Sequence, residues 1–100
     1  MLTPAQARMA RAALSWSLVD VQEKTDINKN TVVRFEAGKG VLLSTVLKLE
    51  RAFTKEGIIF IDETGEHGHG LLFSKDLQKK LAATPHGPKK PKSGKRSQKI

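Results

Sequence analysis

The sequence predicts a mainly α chain: four to five helices, then a short β-hairpin, then a disordered basic tail. Three observations carry this. Up to about Glu56, apolar residues recur at helical spacing, and most of the runs open on a capping residue. Ile58-Ile59-Phe60-Ile61 and Leu71-Leu72-Phe73 are short apolar runs on either side of a Gly-rich loop, the pattern of a hairpin. From Thr84 onward Pro, Gly and Lys alternate, and no aliphatic residue occurs until Ile100. The expected organisation is therefore a helical unit at 1–56, a hairpin with a short helix at 57–83, and a tail at 84–100.

Taken in order, Thr3-Pro4-Ala5-Gln6 is a helix start: Thr3 caps, Pro4 takes the first helical position and Gln6 completes a capping box. Ala7, Ala10 and Leu14, with Ala13 beside them, form the inward stripe. Arg8 and Arg11 fall outside it and are candidate phosphate contacts. Trp16, the single tryptophan, reads as a core anchor between the first two helices rather than as a base-stacking platform.

The stretch Ser17 to Gly38 is the centre of the chain. Ser17 and Asp20 make a box-like start, and Leu18, Val21 and Gln22 give an inward face. That helix should stop near Lys24, with Asp26 taking a left-handed turn position. Ile27 is an apolar anchor under the turn, and Asn28 is an N-cap for a second helix. Val32 and Phe35 point inward, and Gly38 suits the C-terminus. Lys29, Asn30, Val33 and Arg34 are left outside. They suit DNA: Arg pairs bidentately with guanine, Asn with adenine, Lys reaches guanine or a phosphate, and Val touches a thymine methyl. A helix that docks end-first in the major groove presents such residues to base edges.

At these residues the chain resembles a known family. Ser17 with Ile27-Asn28-Lys29-Asn30-Thr31-Val32-Val33-Arg34-Phe35-Glu36-Ala37-Gly38 looks like the helix-turn-helix of Xre-family, lambda-repressor-like regulators. The upstream A-R-M-A-R-A-A-L-S-W-S resembles the first helix and Trp-Ser junction of a small bacterial subgroup, and the downstream E-G-I-I-F-I-D resembles its short strand. The resemblance covers Leu2 to Phe73. It implies a lambda-repressor-like DNA-binding domain, base contacts from Lys29, Asn30, Val33 and Arg34, and phosphate contacts from Ser17, Asn28, Thr31 and Lys39. Three positions depart from the family: Leu18 stands where a phosphate-binding Gln is usual, Gln22 where a small Ala is usual, and Asp26 where the turn has Gly.

Lys39-Gly40 reads as a basic loop. Ser44 is the expected cap of the next helix, whose stripe is Val46, Leu49 and Phe53 with Leu47 and Ala52 adding to it, and Gly57 ends it. Ile58 to Ile61 reads as a strand buried on both faces. A hairpin alone is marginal and exposes its edges. Ile58, Ile59, Phe60, Ile61, Leu71, Leu72 and Phe73 are therefore expected to form a homodimer interface, the alternative being that the hairpin folds back on its own domain. In the loop between, Glu66, His67 and His69 lack a fourth ligand, so no metal is expected. Ser74 caps a short helix with Asp76 in its first turn and Leu77 and Leu81 inside.

Composition narrows the function. Residues 1–83 hold twelve Lys/Arg against ten Asp/Glu, whereas 84–100 hold six Lys/Arg and no acid, so the formal net charge of +8 sits mostly in the tail. Such a chain suits a polyanion partner. With no cysteine there is no disulfide framework and no thiolate zinc site. No phosphate-binding loop, nucleophile–base set or apolar run of transmembrane length occurs in the sequence, and no signal peptide is expected. The expectation is a cytoplasmic, non-enzymatic regulator without cofactor, of bacterial or phage type. It would bind double-stranded DNA as a homodimeric repressor on an inverted repeat. The alternatives are an antitoxin that also holds a toxin, or a protein-interaction adaptor on the same fold.

Overall fold

The first two helices start where their capping boxes place them. In a computed structural model that describes residues 1–83, α1 runs Pro4–Leu14 and α2 runs Leu18–Thr25. The expected basic tail at 84–100 lies outside the described residues. Thr3 Oγ1 accepts the Gln6 amide at 3.1 Å, and Gln6 Oε1 accepts the Thr3 amide at 3.0 Å. Ser17 and Asp20 repeat the arrangement at 3.0 and 2.8 Å. Each box satisfies two amides that a helix start leaves without partners.

After α2 come α3 (Lys29–Glu36), α4 (Leu43–Lys55), β1 (Ile58–Ile61), β2 (Gly70–Phe73) and α5 (Lys75–Ala83). The described residues are thus mainly helical, with one two-stranded antiparallel sheet among them. Ile58 faces Phe73, Ile59 faces Leu72, Phe60 faces Leu71 and Ile61 faces Gly70. Ser74 Oγ caps α5 by accepting the Leu77 amide at 3.1 Å. No helix among the described residues is long and apolar enough to cross a membrane.

A single core joins all of these elements. Ala7, Ala10 and Leu14 of α1 meet Val21, Val32 and Phe35, and Val46, Leu49 and Phe53 of α4 close the layer. Trp16 is buried as the anchor expected of it, with its ring 5.6 Å from that of Phe53, and Phe53 in turn meets Phe60 edge-on at 6.2 Å. Ile58 and Leu77 belong to the same cluster, so the hairpin and α5 share the helices' core. Gln6 is fully buried, and its Nε2 donates to the carbonyls of Ile61 at 3.1 Å and Gly70 at 2.7 Å. One side chain thereby caps α1 and bridges the loop end of the hairpin.

Three expectations are corrected. Ser44 does not cap α4: the helix begins at Leu43, and Leu42 holds the N-cap position without a side-chain hydrogen bond. Leu47 does not extend the α4 stripe but is exposed, because it lies one residue past Val46 and the core takes only the arc through Val46, Leu49 and Phe53. Nor is β1 buried on both faces. Its inner face carries Ile58, 1% exposed, and Phe60, while Ile59 on the outer face is 48% exposed. Ile58 is therefore committed to its own core and is no part of a surface open to a second copy. Phe60 and Leu71 also pack against that core.

Candidate nucleic-acid interface

The turn between α2 and α3 is built from the residues the sequence singled out. Asp26 is left-handed at φ 64°, and Ile27 is buried beneath the turn. Asn28 caps α3, its Oδ1 accepting the Asn30 amide at 2.8 Å. Gln22 adds a second cap from the preceding helix, its Oε1 accepting the Lys29 amide at 2.7 Å. The amides of Thr31 and Val32 reach the Asn28 carbonyl at 2.9 and 3.2 Å. The first-turn amides of α3 are thus bonded within the chain, and any contact from this end falls to side chains.

At the other end Gly38 is left-handed at φ 83°. The Gly38 amide reaches the Phe35 carbonyl and the Lys39 amide the Arg34 carbonyl, both at 2.9 Å, the paired bonds of a Schellman C-terminus. α3 is therefore a short helix fixed at both ends.

Its two faces divide sharply. Val32, Phe35 and Glu36 are buried, whereas Lys29, Asn30, Val33 and Arg34 are exposed together on the outer side, as expected. Between Asn28 and Gly40 the sole acid is Glu36, and it is turned away from that side. Arg11 Nε and one terminal guanidinium nitrogen hold its two carboxylate oxygens at 2.8 and 2.9 Å. Arg8 donates to the Glu36 carbonyl oxygen. Arg8 and Arg11 are thus not free phosphate contacts. They tie α1 to the C-terminal turn of α3. The hydrogen bonds to Glu36 raise the Arg11 pKa above its ordinary value, against a smaller opposing effect of burial.

The expected phosphate contacts fall around this helix. Ser17 is exposed at the start of α2, and its hydroxyl accepts the Asp20 amide. Asn28 and Thr31 line an open cleft of about 310 Å³ with Ser44, Thr45 and Lys48 from the start of α4. Lys39 is exposed on the loop after α3, and Arg34 leans toward that loop, donating to the Gly40 carbonyl at 3.2 Å. Lys48 had no signal in the sequence beyond its charge, because only the fold brings α4 beside the turn. The α1–α3 clamp was equally hidden, its partners being 25 residues apart.

The hairpin loop shows a different chemistry. His67 Nδ1 lies 2.8 Å from its neighbour's carbonyl oxygen, and His69 Nδ1 lies 3.9 Å from Glu63. Among the described residues no three His, Asp or Glu side chains converge as a metal-holding group. No protein-family model and no curated protein matches the chain.

Proposed function

We propose that the chain is a sequence-specific DNA-binding transcriptional regulator, a homodimeric repressor that reads an inverted-repeat operator with α3. The observation that carries this reading is the division of α3. Lys29, Asn30, Val33 and Arg34 share an exposed, acid-free side, while the opposite side is held to α1 through Arg11 and Glu36. A base-reading helix needs both properties: donors that match base edges, and a fixed bearing on the body that grips the phosphates. The resemblance of Ser17 to Gly38 to Xre-family regulators supports the same reading. So do the positions of Ser17, Asn28, Thr31, Lys39 and Lys48 around α3.

In this reading residues 1–56 bind DNA, 57–83 join two copies through the outer face of the hairpin, and 84–100 supply a basic arm. Two copies set their α3 helices about one DNA turn, roughly 34 Å, apart. The protein acts in the cytoplasm by binding alone, without a cofactor, and blocks polymerase where it sits on a promoter.

The test is fluorescence anisotropy on the DNA upstream of the protein's own gene beside a scrambled duplex, at two salt concentrations. A preference of about a thousandfold that survives the higher salt supports the reading. Equal binding to both duplexes, erased by salt, counts against it.

A second reading, an antitoxin or protein-interaction adaptor, is favoured by one observation. Leu42, Leu43 and Leu47 are exposed together at the start of α4, Leu42 at 73%. Charge without base reading, seen as an Arg34→Ala variant with unchanged affinity for every duplex, would favour it.

A further inference from the structure

The outer face of the hairpin is apolar and open. Ile59 and Leu72 face each other across the strands at 48% and 54% exposure, with Ile61 on the same face. A second copy related by a two-fold axis can cover it in two ways, with the strands of the two hairpins antiparallel or parallel.

Charge separates the two arrangements. The loop end of the hairpin carries Asp62, Glu63 and Glu66, with no Lys or Arg from 62 to 69. The opposite end leads into α5, where Lys75, Lys79 and Lys80 are exposed against one acid, Asp76. Near the loop, the Met1 amino group lies 3.8 Å from Asp62 and the His69 ring lies 3.9 Å from Glu63, while Glu66 has no ion pair among the described residues. Strands of four residues hold the two ends about 13 Å apart. That exceeds the screening length of about 8 Å at physiological salt, so the ends act as separate charges. Parallel stacking sets acid on acid and lysine on lysine. Antiparallel stacking sets each acidic loop against the partner copy's lysines.

We propose that two copies associate with their hairpins antiparallel, the acidic loop at 62–66 of one copy lying against α5 of the other. This rests on the dimeric reading above, and it adds the orientation and the residues that set it: Glu63 and Glu66 against Lys75 and Lys79, around an apolar centre of Ile59 and Leu72.

Sedimentation equilibrium of the full chain and three charge variants tests it. Glu63→Lys with Glu66→Lys should weaken the dimer by about tenfold, and Lys75→Glu with Lys79→Glu should weaken it as much. The second pair is the sharper test. It moves the net charge from +8 toward neutrality, so general repulsion alone would tighten the dimer. The chain carrying all four changes should return to within about threefold of the parent. All four residues are exposed, and circular dichroism checks that each variant folds. Lys75/Lys79 variants that dimerise as well as the parent, or a fourfold variant that stays weak, would overturn the orientation and leave the dimer standing. A parent chain that is monomeric at about 100 μM would overturn both.

Discussion

Arg11 grips Glu36 with two parallel hydrogen bonds of 2.8 and 2.9 Å, joining the first helix to the last turn of α3. The Glu36 side chain is 9% exposed, and both of its carboxylate oxygens take a bond from Arg11. Arg11→Ala leaves a buried carboxylate unpaired and is expected to cost about 3 kcal/mol, the low end for breaking a buried pair because Arg11 itself is partly exposed. Thermal denaturation should show a fall in Tm of more than about 10 °C. The pH dependence follows from the sign of the Arg11 shift. Its folded pKa is raised, so its contribution is complete below the unfolded value and is lost only as pH rises through the folded one. Melting curves from about pH 6 to about pH 9 should therefore carry no step that disappears in Arg11→Ala.

Gln6 offers a test of the link between helix and hairpin. Gln6→Leu keeps the bulk but removes the donor to Ile61 and Gly70 and the acceptor for the Thr3 amide. Urea unfolding should show a loss of about 2 kcal/mol. A loss below about 0.5 kcal/mol would mean that ladder bonds and water satisfy those groups unaided.

Gly57 and Gly65 should respond in opposite ways to the same change. Gly57 is left-handed at φ 110°, and a Cβ there would lie 2.6 Å from Ser74 Oγ and 2.9 Å from Leu77 Cβ. Gly57→Ala is expected to destabilise by about 2–3 kcal/mol through backbone strain and the displaced α5. Gly65 has open space around its Cβ position, so Gly65→Ala should stay within about 0.5 kcal/mol of the parent. Paired urea titrations read both.

If α3 reads DNA, Arg34→Ala should cost about 1–3 kcal/mol in operator affinity and relax the preference at one base pair, with Asn30→Ala doing the same at another. Both side chains are exposed, so the folded state should be unaffected. Binding to an operator library beside a melting curve separates the two effects.

Truncation after Ala83 removes six of the eighteen Lys/Arg and none of the acids. In a DNA-binding chain this should weaken all sequences alike and lower the salt slope by about 0.9 for each phosphate the tail neutralises. An unchanged slope would exclude the tail from the complex.

Much of the fold was legible because it is local. Thr3 with Gln6, Ser17 with Asp20, Asp26 in the turn and Gly38 after α3 each settle a backbone end within a few residues, and each appears as expected. What distant packing decides was not legible. Ser44 looked like a cap, yet α4 starts at Leu43 without one. Four apolar residues in a row cannot say which strand face is covered, and the hairpin covers only the one bearing Ile58 and Phe60. At the candidate interface, the outer side of α3 followed from periodicity. Arg8 and Arg11 gave no sequence sign that they hold Glu36 instead of facing outward, since a helical arginine beside the inward stripe serves either purpose.

The reach of Gln6 also bears on how the chain is made. Translation delivers α1 first, and the carbonyls of Ile61 and Gly70 follow 55 and 64 residues later. Until they emerge, the Gln6 amide can donate only to water, and the part of α1 that the hairpin covers stays open. The hairpin displaces that water when it closes over α1. A nascent chain halted before Gly70 would thus be a looser body than the finished one, exposed to proteases for as long as the last stretch remains in the ribosome.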